Sequence, residues 1–117
     1  ERISKNQPLV LFGNGDTARD YTYVDDTVSG IYSALEYCLN NTGVYTTVNL
    51  GNNKPVKLNE LVDIIYAAMG KEKNVVYEAM QAGDVDITFA DITKAGELLN
   101  YKPATDLAEG IRKFIVE

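Results

Sequence analysis

Residues Pro8 to Val28, PLVLFGNGDTARDYTYVDDTV, decide how the chain is read. Pro8-Leu9-Val10-Leu11-Phe12 is compact, apolar and bounded by proline and glycine, which predicts a strand. Gly13-Asn14-Gly15-Asp16 is a turn by composition. Arg19 to Val24 alternates polar and aromatic residues and predicts a second extended segment. Asp25 or Asp26 is then expected to cap a helix, because an aspartate oxygen accepts from the unpaired N–H groups of a first turn. Val28, Ile31, Tyr32, Leu35, Cys38 and Leu39 follow at helical spacing and give that helix one apolar face.

Working outward, Glu1 to Gln7 is polar and reads as the tail of an element that begins upstream. Asn40-Asn41-Thr42-Gly43 closes the first helix. Val44 to Leu50 is β-branched and aromatic and predicts a strand, with a loop over Gly51 to Pro55. Leu58, Leu61, Val62, Ile65, Ala68 and Met69 predict a second amphipathic helix ended by Gly70, with Lys57 and Asn59 as imperfect rivals for its cap. Asn74 to Glu78 reads as a short strand and Gln81 to Val85 as a polar loop. Asp91 is expected to cap a short helix through Leu99, broken at Asn100-Tyr101-Lys102-Pro103. Asp106 with Glu109 three residues on resembles a capping box before a last helix carrying Leu107, Ile111, Phe114 and Ile115. Helices interleaved with strands place the chain in α/β or α+β.

The 117 residues suffice for one domain with its own core. Hydrophobic content of 45% with 24% charged residues fits a globular chain, and no apolar run approaches the length of a membrane span. A net charge of −6 argues against a nucleic-acid partner, which recruits clustered Lys and Arg. The single Cys38 forbids an internal disulfide and suits a reducing compartment; its place on the apolar helix face predicts burial by packing. Histidine is absent, so the commonest general base and metal ligand are missing. Glu1 is not an initiator Met and the final Phe114-Ile115-Val116-Glu117 carries no helix stop, so the chain is expected to be part of a longer protein.

Gly13-x-Gly15-x-x-Ala18 after a strand matches the dinucleotide fingerprint on paper. The fingerprint needs a helix to open at its third position, whereas Arg19 to Val24 is β-like, and Asp16 would set a negative charge where phosphate should lie. Arg19 offers a fork of donors that suits phosphate oxygens; the plainer reading is a surface arginine paired with Asp16 or Asp20. Asp25-Asp26 reads as a cap before it reads as a carboxylate pair for acid–base chemistry. Gly83-Asp84 reads first as a turn and second as a ligand contact. A tyrosine base would need a lysine nearby, and no Tyr-x-x-x-Lys occurs in the chain.

Five stretches in order carry a resemblance: Arg19-Asp20-Tyr21-Thr22-Tyr23-Val24-Asp25-Asp26, Asn49-Leu50-Gly51-Asn52, Glu60-Leu61, Met80-Gln81-Ala82-Gly83-Asp84-Val85 and Asn100-Tyr101-Lys102-Pro103. Together they resemble the C-terminal, substrate-binding part of the extended short-chain dehydrogenase/reductase family that acts on nucleotide sugars. Within it they are most similar to the UDP-glucuronate 4-epimerase branch. The resemblance covers nearly the whole chain, as a single α/β (α+β) unit over 1–117 from which the Rossmann nucleotide-binding part is missing.

The resemblance implies roles. Val10 and Phe12 match positions that hold uracil through backbone and ring. Arg19 matches a diphosphate-binding arginine, Tyr21 a position beside the nucleotide, and Asp84 a carboxylate that accepts from the ribose hydroxyls. Gln81 stands where UDP-glucose relatives carry a second phosphate arginine, which favours the glucuronate branch. Ala82 replaces a usual proline, and at Thr88 those relatives often have tyrosine. NAD would belong to the full-length enzyme and not to this part, and no catalytic residue and no metal site is expected here. Residues 25–50 are implied to pack on the absent Rossmann domain. A cytoplasmic homodimer binding a UDP-sugar, with no nucleic-acid or membrane partner, is the expectation. The rivals are a nucleotide-sugar 4,6-dehydratase, a UDP-glucuronate decarboxylase, or a non-catalytic binding module.

Overall fold

The computed structural model describes residues 1–116, and Glu117, the end of the expected open C-terminus, lies outside them. In chain order the elements are β1 (Leu9–Phe12), β2 (Ala18–Asp20), α1 (Val24–Asn40), β3 (Pro55–Lys57), α2 (Leu58–Met69), β4 (Val75–Glu78), β5 (Ile87–Thr88), α3 (Thr93–Leu99) and α4 (Leu107–Val116). The α/β reading holds. β1 pairs in parallel with β4, Leu9 opposite Val75 through Phe12 opposite Glu78. β2 is the centre of a second sheet, antiparallel to β3 and parallel to β5. The turn between β1 and β2 is made by Gly13 and Gly15 at φ 76° and 78°, a region open to glycine at no steric cost.

The core lies between the β1–β4 pair and α2. Leu11, Val62 and Tyr66 are buried there with Leu9, Leu58, Ile65, Met69 and Val75 around them. Ile3 joins this core from a hydrogen-bonded turn over Glu1 to Gln7, which the polar composition of that stretch had concealed. Gly70 ends α2 in a left-handed conformation, its N–H and that of Lys71 reaching back to Ala67 and Tyr66, as the sequence predicts. The radius of gyration is 17.4 Å, well above the roughly 13 Å of a compact domain of this length.

The openness has a local cause in α1. Asp26 and Gly30 are its buried residues, whereas Val24, Val28, Ile31, Tyr32, Leu35 and Leu39 are between 54% and 76% exposed. The helix therefore meets its own domain through small and polar residues and turns its apolar stripe outward. Cys38 is exposed with that stripe, which corrects the expectation that packing buries it. The predicted strand Val44 to Leu50 is also corrected: no strand forms there. Its β-branched residues favour extension, but a strand requires a ladder partner, and none of the described strands pairs with it.

The α1 cap differs from expectation too. Tyr23 holds the N-cap position without its side chain capping the helix, and Asp25 and Asp26 lie in the first turn, where negative charge suits the helix dipole. The second extended segment is in the ladder only over Ala18–Asp20. Asp106 does cap, accepting from the N–H of Ala108 at 3.1 Å, whereas Ile92 holds the N-cap of α3 and Asp91, expected there, lies one residue outside it and accepts from the N–H of Thr93 at 2.9 Å. Glu109 pairs forward with Lys113 instead of closing the box.

Candidate functional site

Side chains alternate across a strand, so on β2 Arg19 and Asp20 serve opposite faces. Arg19 stands between Val56 of β3 and Thr88 of β5. Its Nη2 donates to Asp84 Oδ1 at 2.7 Å and its Nη1 to the Ala18 carbonyl at 2.9 Å. The two side chains of the ion pair are 29% and 35% exposed. Both partners considered from spacing are engaged elsewhere: Asp16 accepts from Lys57 at 3.0 Å, and Asp20 turns to the backbone. Arg19 thus meets a residue 65 positions away that was singled out independently.

Asp20 is the residue whose role the sequence reading missed. Its carboxylate accepts from the N–H of Asn52 at 3.1 Å, of Asn53 at 2.9 Å and of Ala90 at 3.1 Å. Strand alternation was the available signal, since neighbours on a strand cannot share a face. Gly51 makes the approach possible: a Cβ there would lie 2.5 Å from Ala90 Cβ and 2.8 Å from Asp20 Oδ2. The buried Tyr101 hydroxyl donates to the Gly51 carbonyl at 2.9 Å. Burial, and then the charges of Asp26 and Asp20, push this phenol's pKa up. Asp26, 8% exposed, accepts from the N–H of Ala104 and Thr105, both at 3.0 Å. Burial raises its pKa, but these bonds, a Thr105 side-chain bond and the Lys113 charge outweigh it, and the net shift is downward. Asp20 and Asp26 therefore pin the 52–53, 90 and 104–105 segments around β2 and the start of α1.

A groove of about 640 Å³ opens beside β2, with Arg19, Asp20, Tyr21, Gly51, Thr88 and Ala90 in its wall. Asp84 is not part of that wall. Burial pushes the Tyr21 phenol's pKa up, partly opposed by the Arg19 charge, so Tyr21 is a neutral hydroxyl there and not a phenolate base. Val10 and Phe12 sit on β1 in the other sheet, Phe12 at its exposed end. Met80 comes beside the Gly13 turn that follows Phe12, and Gln81 is exposed one residue on, its carbonyl accepting from the Asp84 N–H at 3.3 Å. Of the residues predicted to bind, the structure joins Arg19 to Asp84 directly, ties Gln81 to Asp84 through the backbone and puts Tyr21 in the same groove as Arg19; Val10 and Phe12 stand in the other sheet. A second, mostly apolar groove of about 490 Å³ lies between the Tyr23–Val24 junction and α4. Among the described residues no cluster of His, Cys, Asp and Glu could hold a metal ion.

The sequence model described as GDP-mannose 4,6 dehydratase matches residues 1–114. The chain belongs to the GDP-mannose 4,6 dehydratase family. The family member is 34% identical over 114 residues to the UDP-glucuronate 4-epimerase of Thermodesulfobacterium geofontis, covering 97% of this chain and 34% of that protein. Its fold matches the Bacillus cereus UDP-glucuronic acid 4-epimerase solved with UDP-glucuronic acid and NAD, at TM-score 0.85 and 29% identity, over 94% of this chain and 34% of that one. The Thermotoga maritima UDP-glucose 4-epimerase solved with UDP-glucose matches at TM-score 0.84 and 30% identity, over 99% and 38%. The resemblance read from the five motifs is borne out. The family member spans about a third of the length of the curated relative it matches.

NAD is present in the Bacillus cereus structure, but the residues of this chain do not fit it at the one place where the sequence hints at a cradle. Ala18 opens β2, so the Gly13–Gly15 turn leads into a strand and offers no helix N-terminus to a pyrophosphate. Asp16 carries its charge into that turn, bonded to Asn14 and Lys57.

Proposed function

We propose that the chain is the UDP-sugar-binding part of an NAD-dependent nucleotide-sugar 4-epimerase, with UDP-glucuronate as the substrate. One observation carries the reading: Arg19 and Asp84, assigned to diphosphate and to ribose, lie within hydrogen-bond reach of each other beside an open groove. A guanidinium fork binds a diphosphate through charge-assisted bonds, and a carboxylate accepts from a vicinal diol. Val10 and Phe12 hold the uracil from β1, and Tyr21 and Gln81 flank the nucleotide. NAD supplies hydride acceptance and return at the sugar C4 in the complete enzyme, held by residues outside this chain.

The apolar stripe of α1, together with the segment to residue 50, packs on the NAD-binding domain of that enzyme. In the isolated chain the same stripe joins two copies into a homodimer, since an exposed apolar patch promotes association. The protein works in the cytoplasm without a nucleic-acid or membrane partner. This reading is supported by the net charge of −6 and by the lack of any helix, among the described residues, long and apolar enough to cross a membrane.

A second reading, a nucleotide-sugar 4,6-dehydratase or UDP-glucuronate decarboxylase, is favoured by the description of the matching family. A non-catalytic binding module is the rival of another class and predicts no affinity for UDP. Calorimetric titration of UDP into the chain and its Arg19→Ala variant separates these. Weak binding that falls at least about tenfold in the variant, the scale of one lost charge-assisted bond, supports the nucleotide-sugar reading. Equal titrations remove Arg19 from the site.

A further inference from the structure

The Arg19–Asp84 pair engages one guanidinium nitrogen of Arg19 before any ligand arrives. At 2.7 Å the Asp84 carboxylate sits where an anionic oxygen of a ligand would bind the same guanidinium nitrogen. The pair is about one-third exposed on each side, so it is weak enough to open. Asp84 belongs to the turn after Gly83, which takes φ 88°, and it approaches Arg19 from outside the groove wall.

We propose that Asp84 is a stand-in ligand that holds Arg19 until a nucleoside diphosphate replaces it, and that this exchange screens inorganic phosphates out of the site. The inference rests on the nucleotide-sugar reading above. A free phosphate or pyrophosphate that takes Arg19 leaves Asp84 without its cation and close to a like charge. A nucleoside diphosphate brings compensation in the same molecule. Its phosphates take the guanidinium, and its ribose offers two hydroxyl donors to the released carboxylate. Selection for a nucleoside over a bare anion then comes from the displaced acid rather than from added contacts to phosphate, a case of specificity by an unpaired charge in the wrong complex.

The test titrates inorganic pyrophosphate and UDP separately into the wild-type chain, Asp84→Asn and Arg19→Gln, following the heat of binding by calorimetry. Asp84→Asn keeps the side-chain shape at a position about one-third exposed, and circular dichroism checks its fold. The expected result is pyrophosphate binding that tightens about two- to fivefold in Asp84→Asn, the scale of a surface ion pair. The ratio of UDP to pyrophosphate affinity is expected to fall about tenfold, since a neutral amide accepts from hydroxyls less strongly. If Asp84→Asn leaves pyrophosphate binding unchanged or weaker while Arg19→Gln weakens UDP, the screen is overturned and the nucleotide-sugar reading survives. If Arg19→Gln leaves UDP binding unchanged, both fall together.

Discussion

Replacing Asp20 by alanine should destabilise the chain by about 2–4 kcal/mol. One carboxylate accepts from the backbone N–H groups of Asn52, Asn53 and Ala90 at 2.9 to 3.1 Å. A hydrogen bond to a charged group contributes about 1.5–3 kcal/mol, and part of each loss is recovered because these positions are only partly buried and water can reach them. Even the lower end of that range over three bonds gives about 4.5 kcal/mol, and the solvent's share brings the net loss down to about 2–4 kcal/mol. Asp20→Asn retains an acceptor oxygen without the charge and should lose about half as much. Urea unfolding followed by circular dichroism reads the effect. With a slope of about 2 kcal/mol/M, the midpoint should drop by about 1–2 M for alanine. The slope itself should hold, because the mutation touches loops and not the core around Val62. Arg19→Gln is the control, since its ion pair is about one-third exposed and should cost under about 1 kcal/mol. An Asp20→Ala midpoint within about 0.25 M of wild type would refute the claim that this residue pins the loops around β2.

Two other consequences are accessible. Asp26 has a depressed pKa in the fold, so its contribution is present above the unfolded value near 3.8 and is lost as pH falls through the lower folded value. Stability of the wild type should therefore decline from about pH 5 downward more steeply than that of Asp26→Asn, read from thermal melts between pH 6 and 3; parallel curves would contradict the assignment. The exposed apolar stripe of α1 predicts a concentration-dependent mass by light scattering that becomes monomeric in Ile31→Glu. It also predicts that Cys38 reacts with a thiol reagent fastest in that monomer. A chain already monomeric at high concentration would sink this prediction.

The strongest patterns in the sequence were the ones tertiary structure had least reason to override. The strand at Leu9–Phe12, its glycine turn and helix α2 with its Gly70 stop form the core, and their apolar spacing is a direct image of it. β3 and β5 were not read because strands of three and two residues are created by pairing with β2, not by a pattern of their own. Val44 to Leu50 failed for the opposite reason, having the pattern without a partner. Helix α1 was found with the right face marked apolar, but an amphipathic pattern says only that a face wants cover, not whether this chain provides it. That is why Cys38 came out exposed. At the site, Arg19 and Asp84 were each legible as chemistry, yet their meeting across 65 residues was not. Asp20 and Asp26 were hidden by adjacency to more suggestive residues, and only the backbone geometry shows that they hold loops.

The most direct test of the central claim is to titrate UDP-glucuronate into isotope-labelled chain and map the resonances that move. Saturable shifts are expected at the Arg19 Nε–H, at Tyr21 and at the Gly83–Asp84 turn, with the end of β1 at Phe12 moving in step, and the shifts at Tyr21, the turn and Phe12 are expected to vanish in Arg19→Ala. Shifts confined to the apolar groove between Tyr23 and α4, or none that saturate, would contradict that claim.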